Sequence, residues 1–185
     1  MPVPFPPDDD SVIATYPSPD NDEYPTQVPK FIVIHHWGAK DAKISLQSVI
    51  NTMTQDNGLS IHYIVDDSGV YQVVPENKRA QHAGPQGNDG IGIECDPNGG
   101  DAMYAHLRLL IANIRVRWGK LALTKHSDYM ATLCPANIDI LRLEPITVPP
   151  TVPPSDDWGK QNNELLKAIL AIVTWIKDRL TSIFK

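Results

Sequence analysis

A chain of 185 residues, 42% hydrophobic and with a formal net charge of −6, has the length and apolar content of one compact domain with appendages. The negative balance excludes a broad electrostatic footprint for nucleic acid and disfavours anionic membranes. Two cysteines, Cys95 and Cys134, exclude a disulfide-rich scaffold, no apolar run reaches the roughly 20 residues of a membrane span, and Met1 to Asp10 lacks the basic and apolar regions of a signal peptide.

Residues 1–29 are rich in Pro, Asp, Ser and Asn and read as an extended arm, with Phe5, Val12, Ile13, Tyr16 and Tyr24 as apolar anchors. Lys30 to His36 is a continuous, β-branched apolar run that suits a buried central strand. Ile44 to Thr54 has helical spacing, with Ile44, Val49, Ile50 and Met53 as the expected inner face. Ile61 to Val65 and Val70 to Val74 flank Asp66 to Gly69, a hairpin signal. Gly90 to Cys95 is a further short strand. Ala102 to Trp118 is a long helix closed by Gly119, and Leu121 to Thr124 a last short strand. Residues 30–144 therefore form an α/β domain with a central mixed sheet flanked by helices. Pro145 to Ser155 is a Pro-rich spacer, and 156–185 an amphipathic helix.

Within that domain His35, His126 and Cys134 offer a metal-ligating set. Imidazole and thiolate suit zinc, and three protein donors leave a fourth position for water. His35 ends a buried strand, where a polar side chain needs a partner. Histidines at strand ends also occur as structural residues, so these three positions alone leave both readings open. Cys95 follows Glu94 directly, so its side chain points to the opposite face, into the core. A Cys95–Cys134 disulfide would remove a donor and is rejected. His62 and His106 read as structural, and Asn88 and Asp89 as turn residues.

Five separated motifs occur in order: Phe31-Ile-Val-Ile-His-His-Trp-Gly38; Leu59-Ser-Ile-His-Tyr-Ile-Val65 with Asp67-Ser-Gly69; Ala80-Gln-His-Ala-Gly84; Ile91-Gly-Ile-Glu94; and His126 through Cys134-Pro135. The series resembles the type 2 N-acetylmuramoyl-L-alanine amidases, a family that includes phage endolysins of the T7 lysozyme kind and the peptidoglycan recognition proteins. The resemblance implies zinc held by His35, His126 and Cys134, with Glu94 and Thr132 at catalytic positions. It also implies His82 in the substrate groove. His36 and Trp37 beside the first ligand read as further groove residues, with a core position for Trp37 the equal alternative. Zinc would acidify water to a pKa of about 7 and polarise the scissile carbonyl. Glu94 would take the proton and pass it to the leaving amine of L-alanine, and Thr132 would donate to the oxyanion; a turn-capping Thr132 is the competing reading. One departure is Ile61, where many members carry a catalytic tyrosine.

The implied partner is peptidoglycan, and the implied role is that of an endolysin held in the host bacterial cytoplasm until release to the wall. A non-catalytic peptidoglycan-binding module and a cell-wall recycling amidase are the alternatives; retention of Cys134, both histidines and Glu94 argues against the former. The tail adds an expectation of its own. Leu166, Val173 and Leu180 at a, with Ile169, Ile176 and Ile183 at d, form a heptad that favours self-association through residues 160–185. Packing back on the domain, or lying on a membrane, are the competing and less favoured uses of that stripe.

Overall fold

The computed structural model describes residues 5–25 and 28–144. The spacer and C-terminal helix expected over 145–185 lie outside the described residues. A six-stranded sheet runs in the order β1–β5–β4–β7–β3–β8. Its strands are β1 (Val12–Thr15), β3 (Phe31–His36), β4 (Tyr63–Asp66), β5 (Gly69–Gln72), β7 (Ile91–Cys95) and β8 (Ala122–Lys125). Only the β4–β5 hairpin pairs antiparallel; the other ladders are parallel, so the sheet is mixed as expected. A two-stranded sheet joins β2 (Asn21–Glu23) to β6 (Lys78–Ala80).

Period-two alternation assigns the two faces. Ile32 and Ile34 of β3, Ile91, Ile93 and Cys95 of β7, and Tyr63 and Val65 of β4 pack on one side. There they meet Met103, Leu107, Leu110, Ile111 and Ile114 of α3 (Asp101–Trp118), spaced by three and four along the helix. The N-terminus of α3 is satisfied from the hairpin turn, because Asp67 Oδ1 accepts from the backbone N–H groups of Gly100 and Met103, both at 2.9 Å. Its C-terminus stops at Gly119, whose φ of +85° an L side chain rarely adopts. The opposite face carries α1 (Leu46–Met53), whose Val49 and Ile50 join Trp37, Ile61, Ile64, Tyr71 and Val73 in a second cluster. Ser45 caps α1 by accepting from the Ser48 N–H. Ile44, expected on the inner face, precedes that cap and is 44% exposed. A one-turn helix, α2 (Gly84–Gly87), lies between β6 and β7.

The segment read as an extended arm is woven into the domain over its described residues. β1 pairs with β5 and β2 with β6, and the prolines around them keep the backbone in the extended form a short strand needs. Its anchor is ionic as well as apolar. Arg117 of α3 donates from Nη1 to Asp9 Oδ2 at 2.8 Å and from Nη2 and Nε to Glu76 at 2.6 and 2.8 Å. The same Glu76 accepts from Tyr63 Oη and Trp118 Nε1, at 2.7 and 2.6 Å. Both carboxylates are buried.

Arg117→Met is expected to lower unfolding stability by about 3 kcal/mol, because it leaves two buried carboxylates without their cation. Urea denaturation measures the loss; a shift under about 0.5 kcal/mol would mean that the network carries nothing. Burial pushes the Asp9 carboxyl up, but hydrogen bonds from Ser11, Arg117 and Asn113 together hold it below its ordinary 3.8. Its contribution is therefore present at neutral pH and lost as acid carries the pH down through that lowered value.

Candidate metal centre

Register explains why distant residues meet. In the β3–β7 ladder His35 lies opposite Glu94, and in the β3–β8 ladder Ile34 lies opposite Lys125, so the next residues, His35 and His126, adjoin. Three parallel strands thus deliver Glu94, His35 and His126 in one row at their carboxyl ends, where open α/β sheets place their ligand sites. Alternation aims His35 and Glu94 away from the α3 face. Cys134 returns on the loop after β8, held by its carbonyl accepting from Ser127 N–H at 3.0 Å.

His35 Nδ1 and His126 Nδ1 are 3.1 Å apart, and one ring nitrogen of each histidine and Cys134 Sγ all lie within 4.8 Å of one another. Nitrogen ligands on one tetrahedral zinc, with bonds of about 2.0–2.1 Å, are about 3.3 Å apart. Two imidazole lone pairs at this distance repel unless a cation or proton lies between them, so the donor set fits a divalent metal. The backbone N–H of His36 donates to Cys134 Sγ at 3.3 Å, an interaction that favours thiolate. His35 is buried, and burial first, then the neighbouring histidines, hold it well below its usual pKa, in the neutral form a ligand requires. His126 is half-buried and lowered as well, by burial and then by His36.

Glu94 shares a 260 Å³ cavity with the three donors, His36, His82 and Thr132. Its carboxylate makes no hydrogen bond among the described residues, and burial pushes it up to about 8. Thr132 Oγ1 accepts from Cys134 N–H at 3.2 Å, so the turn-capping reading holds, while the hydroxyl proton stays free to donate into the cavity. His82 Nδ1 lies 2.9 Å from His35 Nε2, and burial presses the His82 pKa down to about 3. His36 lines the cavity, and its buried Nδ1 has no hydrogen-bond partner within 3.5 Å among the described residues. Trp37 takes the second of its two readings: it is 7% exposed and packs in the core with Val49 and Ile50 rather than lining the groove. Ile61 is sealed in the same cluster, so that position supplies nothing to the cavity.

Sequence reasoning missed Met53, Leu59, Ser60 and Gln81 on the cavity wall, and Met130, whose Sδ is 3.4 Å from His126 Nε2. Only the i, i+4 spacing of His126 and Met130 gave any signal. Cys95 is buried in the core as expected, His62 is buried and structural, and His106 bonds the Asp66 carbonyl through Nδ1 at 3.1 Å. A larger hollow of 630 Å³ beside Lys125, Leu133 and Leu141 contains none of the three donors and is not the chemical site.

A nitrogen–sulfur donor set able to hold a metal ion, beside an uncommitted carboxylate at the ends of parallel strands, is a layout suited to hydrolysis. The chain belongs to the N-acetylmuramoyl-L-alanine amidase family, whose pattern matches residues 25–137. The N-acetylmuramoyl-L-alanine amidase XlyB of Bacillus subtilis strain 168 is 28% identical over 121 residues, which cover 59% of this chain and 38% of that protein. The chain thus corresponds to well under half the length of that relative. Among solved structures, a selenomethionine AmpD derivative matches with a TM-score of 0.63 and 24% identity, over 72% of this chain and 93% of its own. A mutant endolysin from Bacillus subtilis matches with a TM-score of 0.55 and 24% identity, over 68% and 90%. These two show that the fold is shared.

Proposed function

We propose that this chain is a zinc-dependent N-acetylmuramoyl-L-alanine amidase that hydrolyses the amide between N-acetylmuramic acid and L-alanine in peptidoglycan, in the role of a lytic endolysin. The observation that carries the reading is the convergence of His35, His126 and Cys134 on one point beside Glu94. Those three residues would hold the ion. When bound, zinc supplies Lewis acidity, acidifying water and polarising the scissile carbonyl. Glu94 takes the proton of the attacking water and returns it to the departing amine of L-alanine; a pKa near neutrality suits a group that must do both. The Thr132 hydroxyl donates toward the developing oxyanion. His36 and His82 contribute to the groove wall. The relative named as an amidase and the neighbour titled an endolysin support the substrate and the role.

The test is digestion of purified sacculi, with the new termini identified by mass spectrometry. Free lactyl carboxylates on muramic acid, paired with free L-alanine amines, are expected. Cleavage elsewhere, or binding without cleavage, would overturn the reading. Comparing intact sacculi with soluble muropeptides separates the lytic role from recycling: a lytic enzyme works on the intact wall.

A further inference from the structure

His82 Nε2 lies 3.1 Å from the carbonyl oxygen of Gly90, and its Nδ1 lies 2.9 Å from His35 Nε2. A carbonyl oxygen only accepts, so His82 carries its proton on Nε2 and donates there. In the neutral ring Nδ1 is then a bare lone pair, and it accepts from the Nε2–H of His35. That places the His35 proton on Nε2 and leaves His35 Nδ1, the atom facing His126, as a lone pair. We propose that His82 is a positioning residue: the relay from the Gly90 carbonyl through His82 fixes the tautomer and ring orientation of His35, so that Nδ1 is presented to a divalent cation. The proposal rests on the metal reading given above and adds to it a residue that touches neither the metal nor the substrate bond.

The relay is built into the sheet. β4 begins at Tyr63, so its ladder with β7 pairs Ile93 to Cys95 and leaves Gly90 to Gly92 beyond its reach. Side chains take up the backbone groups there. Gly92 N–H donates to His62 Nδ1 at 3.0 Å, and the Gly90 carbonyl accepts from His82. His62 is itself tied down, its Nε2 donating to the Lys78 carbonyl at 2.8 Å. Glycine at position 92 makes the room, since a Cβ there would lie 2.8 and 2.9 Å from His82 Cδ2 and Cε1. The His35 and His82 rings meet edge to face, with 4.9 Å between centroids and 85° between planes. A turn of one ring is therefore passed to the other. His126 has a weaker holder, because its Nε2 faces the thioether of Met130, which is 48% exposed. Outer partners of metal-bound histidines set ring orientation and ligand basicity in general; here the two histidines are held unequally.

Zinc affinity of the full chain, measured by competition with a chromophoric chelator, tests the relay in His82→Phe, His82→Gln and Met130→Leu, each checked for folding by circular dichroism. Phenylalanine fills the ring space without an acceptor and is expected to weaken zinc binding roughly 10–100-fold. Glutamine keeps a carbonyl acceptor and is expected to recover most of that loss, with Met130→Leu changing affinity less than His82→Phe. The visible spectrum of the cobalt-loaded protein should shift in His82→Phe and return in His82→Gln. Nitrogen NMR of the parent, metal-free, reports which imidazole nitrogen of His35 is protonated and needs no variant to fold. A proton on Nε2 supports the relay, and a proton on Nδ1 overturns it. A folded His82→Phe that binds zinc as tightly as the parent overturns it too, and leaves the metal reading standing. A parent that takes up no zinc sinks the metal reading and the relay with it.

Discussion

Alanine at Cys134 or at His126 is expected to strip the protein of stoichiometric zinc and to take peptidoglycan hydrolysis below detection. With one donor gone, two remain, and a catalytic zinc site is ordinarily held by three. Neither residue belongs to the two core clusters, so the variants should fold, which circular dichroism checks. The readout is metal analysis after desalting, paired with release of new termini from sacculi. Full zinc in either folded variant would remove that residue from the ligand set. The chemistry also fixes a pH dependence. Burial first, then Glu94, pushes the Cys134 thiol up to about 12, against the lowering pull of the His36 backbone N–H. A cation entering the site must therefore displace the thiol proton, so protons compete with zinc. Zinc affinity should fall as the pH is lowered, and a flat profile would mean that the sulfur is not a ligand.

Glu94→Gln is expected to keep zinc and fold while losing roughly 10²–10⁴-fold in turnover, the usual contribution of a general acid–base group. The substitution preserves shape and hydrogen-bonding capacity and removes only the ability to hold and return a proton. Turnover near that of the parent would assign the proton transfer to another group. Stability gives an independent reading of the same side chain. A carboxyl whose pKa rises from 4.5 to about 8 on folding binds more protons folded than unfolded between those values. Its cost is absent at low pH and grows as the pH rises through that window. Metal-free Glu94→Gln should therefore match the parent near pH 4 and exceed it in melting temperature near pH 8. Equal melting temperatures at both pH values would mean that Glu94 is solvated.

The strands and helices with strong periodicity were legible from the residues. Phe31 to His36 announced a two-sided burial, the Asp66 to Gly69 turn a hairpin, and Ala102 to Trp118 a long helix closed by Gly119. β1 and β2 were not legible, because strands of four and three residues have little pattern of their own and depend on partners some 55 residues away in the chain. The three donors were visible as residue types and as a family motif. Their meeting point was not, since it depends on the register that sets His35 beside Glu94. The two readings of Trp37 stayed open in the sequence because a strand that has just ended gives no alternation to say which way the next side chain turns; the structure takes the core one. The contact between His82 and His35 spans 47 positions, and nothing local encodes it.

β1 has a consequence for anyone shortening this chain. It pairs along β5, whose Val70, Tyr71 and Gln72 are buried, and so occupies that border of the six-stranded sheet. The opposite border, β8, is four residues long and ends in the exposed cation Lys125, features that discourage a further strand from adding on. A fragment cut to start at the first strongly apolar strand would uncover a row of unpaired peptide groups flanked by apolar side chains, a template for chain-to-chain pairing. The smallest portable unit therefore starts ahead of Asp8, whose N–H and carboxylate both bond the Gln72 side chain. The proline-rich beginning of the sequence works as selvedge: it finishes the cloth so that copies of the enzyme do not unravel into one another.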